Sequence, residues 1–262
     1  MRRHFLRIAF SVFFLSGLLG GGGQALAAET FSAEVLLAAS TDAELQPLLA
    51  RLQNPKKESR AAWEFWIGTL AGKPVVLTRT EGDPLNAVAA TTLAIRRYAP
   101  KLVVTFGSSR AHDPSLRTGD VLISGKFAAF DGIVSPVVPL DGGSDSRSWQ
   151  RLPHLLATAG EKETAEYFFK ADAKAGEVAK ALTMPRGKVV VGVLGSSAQT
   201  NREADRIAWI RANWNTSSED GESAHIAGCA QLLGVPVIGL RVIDGGPGEA
   251  AAHVLDFLEA WK

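Results

Sequence analysis

The chain has 262 residues, with 28 lysines and arginines against 27 aspartates and glutamates, and no basic patch that would argue for nucleic acid as a partner. Its one cysteine, Cys229, excludes an intrachain disulfide and reads as a small buried apolar residue. The five histidines, His4, His112, His154, His225 and His253, lack metal-ligand spacing, so neither a metal nor a cofactor is expected.

Residues 1–27 read as a targeting segment. Arg2, Arg3 and Arg7 make a basic start, Ile8 to Leu19 is nearly all apolar, and Ala25-Leu26-Ala27 is an A-x-A cleavage signal. The apolar run is short for a transmembrane helix. Arg2-Arg3-His4-Phe5-Leu6-Arg7 fits a twin-arginine signal and an ordinary secretory signal equally well. No cysteine follows the cleavage site to carry a lipid. The expectation is a periplasmic or secreted mature chain starting near Ala28, free of the membrane. Residues 28–262 are enough for a single α/β domain.

Glu34 to Ala39 reads as the first strand. Thr41-x-x-Glu44 has the form of a capping box, but Pro47 would then lie past the first helical turn, where it removes a hydrogen bond. A helix starting near Glu44 is therefore expected, with Glu44 at the mouth of the strand. Trp63–Leu70 and Pro74–Thr80 form a hairpin about a turn at Ala71-Gly72-Lys73. A helix follows from Ala87 to Tyr98, ended by Pro100. Leu102 to Phe106 is a buried strand running into Gly107-Ser108-Ser109, a small-residue turn whose backbone N–H groups can face a ligand. Thr118-Gly119-Asp120 is a second turn and launches the run from Val121 to Ser124.

Residues 132–187 are the least patterned stretch. Asp141 to Ser146 is loop chemistry, Trp149 and Tyr167 read as core or pocket residues with core the first expectation, and an Ala-rich helix follows Phe169-Lys170-Ala171-Asp172. Lys188 to Leu194 is another buried strand, followed by the loop from Gly195 to Asn201. Ala204 to Asn213 is a helix anchored by Ile207, Trp209 and Ile210. Glu219 to Ala227 opens a further helix, whose acidic start suits a helix N-terminus. Gly234 to Asp244 is the last strand.

The order of these motifs resembles the nucleoside phosphorylase/nucleosidase superfamily, and within it the 5′-methylthioadenosine/S-adenosylhomocysteine nucleosidases. Their pattern of NTGSAGGL followed by VGDIVVS is similar to Thr105-Phe106-Gly107-Ser108-Ser109-Arg110-Ala111-His112 followed by Arg117-Thr118-Gly119-Asp120-Val121-Leu122-Ile123-Ser124. The Gly-Ser pair and the Gly-Asp strand match, and the second half of GSAGG does not. The resemblance implies a three-layer α/β/α sandwich with a central mixed β-sheet, like purine nucleoside phosphorylase.

It also implies roles. Glu44, in Glu44-Leu45-Gln46-Pro47-Leu48-Leu49, matches the family's general base. Glu222 falls on the second Glu of VEMEAAAIA, which binds the ribose 2′ and 3′ hydroxyls, with Gly221 in place of the methionine. A carboxylate suits a vicinal diol because it can accept both hydroxyl protons. Relatives end the last strand in VPFVVVRAISD, whose Asp protonates the leaving purine; without a gap Asp244 falls on that Ser and Gly245 on that Asp, and with a one-residue deletion Asp244 is the acid. Gln199 or Thr200 replaces the aromatic of SGDAFIN that stacks on the base. Gly107 and Ser108 join Glu222 and Gln199 as expected substrate contacts. The Gly82-Asp83-Pro84 string is similar to a phosphate-binding string of the phosphorylases, but in the wrong place.

Cleaving an N-glycosidic bond needs a base to activate water, an acid for the departing nitrogen and a carboxylate to orient the sugar. Glu44, Asp244 and Glu222 supply that set. The expected activity is hydrolysis of a purine-type nucleoside, a small-molecule substrate, with a homodimer as the assembly to look for. Two alternatives stay open. One is a phosphorylase: phosphorylases of the superfamily often carry an arginine two residues before the Gly-Ser, where this chain has Thr105, and Arg110 or Arg79 could stand in for it. The other is a non-catalytic nucleoside-binding paralogue.

Overall fold

The computed structural model describes residues 31–184 and 186–262. The targeting segment read in residues 1–27 lies outside them. Ten strands build the central sheet: β1 (Val35–Ala39), β2 (Gln53–Arg60), β3 (Trp63–Leu70), β4 (Lys73–Arg79), β5 (Leu102–Ala111), β6 (Val121–Ala129), β7 (Phe169–Lys170), β8 (Val189–Ser196), β9 (Thr216–Asp220) and β10 (Val237–Ile243). Six α-helices of the described residues accompany them: α1 (Asp42–Leu49), α2 (Pro84–Tyr98), α3 (Ala173–Lys180), α4 (Ala204–Trp214), α5 (Ser223–Leu232) and α6 (Pro247–Ala260). None of the described helices is long and apolar enough to cross a membrane.

Alternation along β1 shows why the fold has three layers. Val35, Leu37 and Ala39 pack into one apolar cluster with α1, α3 and α6, through Leu45, Leu48, Ala175, Val254 and Phe257. Leu36 and Ala38 pack into another with α2 and α5, through Ala87, Ala94, Tyr98, Ala224 and Ala227. Successive strand side chains point to opposite faces, so a strand covered on both sides must be apolar at every position. The same split appears in β4, with Val75 and Leu77 on one side and Val76 on the other, and in β5 with Leu102, Val104 and Phe106 against Val103.

The sheet is mixed, as expected. Its order is β7-β6-β8-β9-β5-β1-β4-β3-β2, and β10 pairs with both β5 and β6. Strand β1 runs parallel to β4 and β5, β10 parallel to β5, and β8 parallel to β6 and β9. The β9–β5 and β10–β6 pairings are antiparallel. Pairing therefore closes a ring, β5-β10-β6-β8-β9, at one end of an otherwise open sheet. A register shift between Gly192 and Val193, opposite Ser124 and Lys126, adds the local twist that a bulge brings.

Several expectations need correction. Helix α1 begins at Asp42 with Thr41 as its N-cap, and the Thr41–Glu44 capping box forms with Pro47 inside the helix. In a helix of eight residues Pro47 forfeits one hydrogen bond, while the cap satisfies two N–H groups, so the earlier start wins. Gly107-Ser108-Ser109 is not a turn, because β5 continues to Ala111 on pairings first with β10 and then with β9. Glu219 and Asp220 end strand β9 rather than open a helix, and α5 starts at Ser223. Tyr167 is 38% exposed with the Arg151 guanidinium 4.4 Å from its ring centroid, and Trp149 is only half-buried, so neither belongs to the core. Helix α2 starts at Pro84 with Asp83 as its N-cap, which accounts for the Gly-Asp-Pro string. The polar edge strand β2, with Pro55 in it, carries no apolar alternation that would announce it.

Candidate active site

The carboxyl ends of β1, β5, β9 and β10 surround a polar cleft of about 370 Å³. Open α/β sheets gather ligands at such strand ends. Its wall includes Ser40 after β1, Gly82 before α2, Ser108 in β5, Glu222 after β9 and Asp244 after β10, with Gln199 from the loop after β8.

Glu44 sits just behind this wall, 7% exposed. Its Oε2 accepts from the N–H groups of Ser40 at 3.0 Å and Thr41 at 3.2 Å, and its Oε1 accepts from Ser108 N at 2.9 Å. Glu44 is thus a helix-cap partner and a site carboxylate at once. Oε1 accepts that single bond and keeps a lone pair for a further donor. It lies directly over Gly107: a Cβ there would fall 2.1 Å from Oε1 and 2.5 Å from an Arg241 nitrogen, and Gly107 has φ +139°. The Gly-Ser step therefore serves Glu44. Gly107 makes room for the carboxylate and Ser108 N holds it, while the Ser108 residue faces the cleft.

Glu222 is 1% exposed. Its Oε1 accepts a short hydrogen bond from Ser40 Oγ and lies 3.4 Å from both Thr80 Oγ1 and Arg241 Nη2. Its Oε2 has no partner among the described residues, and an added Cβ on Gly82 would lie 3.9 Å from it. An unpartnered buried carboxylate oxygen on a cleft wall is poised to accept from a ligand hydroxyl. Gly221 is required beside it, since a Cβ there would fall 2.2 Å from Gly82 O.

Arg241, at the middle of β10, is completely buried beneath these groups. Nη1 donates to Phe106 O at 2.6 Å, and Nη2 donates to Thr105 Oγ1 at 2.7 Å and Ser223 Oγ at 2.5 Å. Nη2 also pairs with Asp220 at 2.8 Å and Glu222 at 3.4 Å. Asp220 in turn accepts from the N–H groups of Glu222 and Ser223 and from Ser196 Oγ. Asp220, Glu222 and Glu44 all lie in the field of this one guanidinium. Burial and the charge of Asp220 push the Glu222 carboxyl up to about 7, against the opposing pull of Arg241 and the Ser40 hydrogen bond. Burial works against the charge on Arg241, but Asp220, Glu222 and Glu44 together raise its pKa above the ordinary arginine value.

Asp244 leaves β10 with φ +45°, a left-handed conformation that aspartate tolerates better than most residues, and it is exposed on the cleft wall. Its N–H donates to Ser109 O at 2.9 Å, which ties it to β5. The N-cap of α6 is Gly246, backed by Glu249, so Asp244 is not that helix's cap. Gln199 is exposed on the loop of residues 197–201. That loop is pinned from below: Asn201 donates through Nδ2 to Glu219 Oε2 at 2.7 Å and through its N–H to Oε1 at 3.1 Å, and His112 Nε2 lies 3.2 Å from Glu219.

All six sequence-derived residues thus gather at one place: Glu44 and Gly107 directly behind the wall, Ser108, Glu222, Gln199 and Asp244 on it. Of the two arginines weighed as phosphate ligands, Arg79 is engaged by Asp42 and Glu81, whereas Arg110 lines the cleft. Arg241, Asp220, Ser40 and the His112–Glu219–Asn201 anchor escaped the sequence reading. The available signal was Arg241 itself, a charge inside an apolar strand, which has to find buried partners.

Comparison with known proteins gives a consistent picture. The model of the Phosphorylase superfamily matches residues 34–262. A 5′-methylthioadenosine/S-adenosylhomocysteine nucleosidase of Shewanella putrefaciens is 30% identical over 202 residues, covering 77% of this chain and 80% of that one. The nucleosidase of the same name from Neisseria meningitidis, solved with methylthio-immucillin-A, superposes with a TM-score of 0.71 at 22% identity, covering 86% of this chain and 98% of that one. The one from Colwellia psychrerythraea, solved with adenine, gives a TM-score of 0.72 at 21% identity, covering 87% of this chain and 96% of that one.

Proposed function

The chain belongs to the phosphorylase superfamily, and we propose that within it this protein is a nucleosidase that hydrolyses the N-glycosidic bond of a purine nucleoside. The observation that carries the reading is that Glu222 and Asp244, from the ends of two different strands, line one cleft while Glu44, in the first turn of α1, is bonded to Ser108 N directly behind its wall. Glu222 Oε2 accepts from the ribose hydroxyls and fixes the sugar. Glu44, aimed over Gly107 by the Ser40, Thr41 and Ser108 N–H groups, takes a proton from water as the water adds to the anomeric carbon. The C–N bond breaks with oxocarbenium character in the sugar. The electron pair leaves with the base, and Asp244 supplies the proton that neutralises it. The relatives' names support the reaction class.

The test is a purine nucleoside panel with and without phosphate, following free base and reducing sugar. Equal base release in both conditions, with free ribose as product, supports hydrolysis. A strict phosphate requirement with ribose 1-phosphate as product would instead assign a phosphorylase. Binding without turnover would assign a non-catalytic paralogue.

We further propose that the protein is exported and that two copies associate. Ala25-Leu26-Ala27 supports processing near Ala28, and N-terminal sequencing that finds Met1 on the exported protein would refute it. Leu85, Val88, Leu232 and Leu233 expose apolar surface on α2 and α5, beside an apolar groove of about 270 Å³, which supports a homodimer. Light scattering that finds only monomer would overturn it.

A further inference from the structure

The end of the cleft where Asp244 would meet the leaving base carries chemistry that the three carboxylates do not use. Arg110, next to last in β5, is exposed and lines the cleft. Its backbone lies level with Asp244, because Ile243 pairs with Ser109 and Asp244 N donates to Ser109 O at 2.9 Å. On its other side Arg110 pairs with Glu219, whose carboxylate is already committed to Asn201 and His112. Arg110 forms no ion pair among the described residues, whereas Arg79, Arg211 and Arg241 are each engaged by carboxylates. Gln199 and Thr200 complete this end, and no aromatic ring of the described residues lines the cleft. A base seated here is therefore held by its polar edge rather than by a stacked ring.

We infer that Arg110 makes this site a reader of 6-oxopurines, so that the nucleosides cleaved are of the inosine and guanosine type; the inference rests on the nucleosidase reading above. A guanidinium is donor-only. The edge of a 6-oxopurine that carries N7 presents two adjacent acceptors, O6 and N7, which an arginine reads with two parallel hydrogen bonds. Adenine offers N7 beside a 6-amino group, and there the arginine's second N–H meets another N–H. Gln199 carries both a donor and an acceptor and can serve N1 in either base, so the discrimination falls on Arg110. The same guanidinium faces the negative charge that builds on the base as the C–N bond breaks, where a preplaced cation stabilises the transition state beyond ground-state binding.

The experiment compares kcat/KM for inosine, guanosine and adenosine in the wild type, Arg110→Gly and Arg110→Met, with calorimetry of free hypoxanthine and adenine on the same proteins. The expected wild-type preference for the 6-oxo nucleosides is roughly 5- to 150-fold, the range one bidentate contact supplies. Both variants should lose it, with circular dichroism unchanged because Arg110 is exposed. A wild type that prefers adenosine, or a preference unchanged in both variants, would overturn the inference. If the wild type releases no base from any nucleoside, the nucleosidase reading fails; hypoxanthine binding tighter than adenine, and lost in both variants, would still uphold the base assignment, and equal binding would end it.

Discussion

Replacing Arg241 by methionine removes the one cation from a buried carboxylate cluster while keeping a long side chain in the strand. The guanidinium bonds Phe106 O and Thr105 Oγ1 and faces Asp220 at 2.8 Å and Glu222 at 3.4 Å. Removing one partner of a buried charge pair costs about 3–5 kcal/mol, because the other charge stays in a medium that solvates it poorly. For a domain of this size that loss corresponds to roughly 6–20 °C in melting temperature. The effect must depend on pH. Burial and the neighbouring Asp220 charge raise the folded-state pKa of Glu222 from the ordinary carboxylate range to about 7. A raised carboxyl contributes stability that is fully present below the unfolded value and is lost as pH rises through the folded one. Without Arg241 that pKa rises further, so the gap between variant and wild type should widen from about pH 5 to pH 8. Carboxylates distant from the substitution, such as Asp113 and Asp120, titrate alike in both proteins and cancel in the difference. Thermal unfolding of both proteins at pH 5.5 and pH 7.5 measures it. A melting-temperature gap that is the same at both pH values, or smaller at the higher one, would refute the electrostatic account and leave Arg241 as packing.

Three other substitutions bear on the catalytic reading. Glu44→Gln should lower kcat by about 10²- to 10⁴-fold with KM little changed; a variant that keeps its activity and loses only melting temperature would leave Glu44 a capping residue alone. Asp244→Asn should damage purine nucleosides severely and spare p-nitrophenyl riboside, whose leaving group needs no proton, so equal losses on both, or none, would remove Asp244 from the mechanism. Gly107→Ala places a methyl group 2.1 Å from Glu44 Oε1 at φ +139°; turnover should fall about as far as in Glu44→Gln, and near wild-type kcat would show that the carboxylate's position over Gly107 does not matter.

Chain order and periodicity were enough for most of the architecture. Residues buried on both sheet faces have to be mostly apolar, and that is visible without any structure in Val35 to Ala39, in Leu102 to Phe106 with Thr105 the one polar residue, and in Val237 to Ile243 with Arg241 the one charge. The hairpin turn at Ala71-Gly72 was equally legible, because turns are made by neighbours in sequence. The site was legible as a set of positions, through motif order, but not as a geometry. Ser40 meets Glu222 across 182 positions, and Ser108 N meets Glu44 across 64. No local pattern records such pairings, since packing alone sets them. Tertiary structure decided that Gly107 yields its space to Glu44, that Glu219 and Asp220 end a strand, and that β5 bends from β10 to β9 to close the ring. It also decided the meaning of Arg241. In the sequence this arginine interrupts an apolar strand; in the fold it lies where three carboxylates converge, because a charge with no access to water is tolerable only among opposite charges and acceptors.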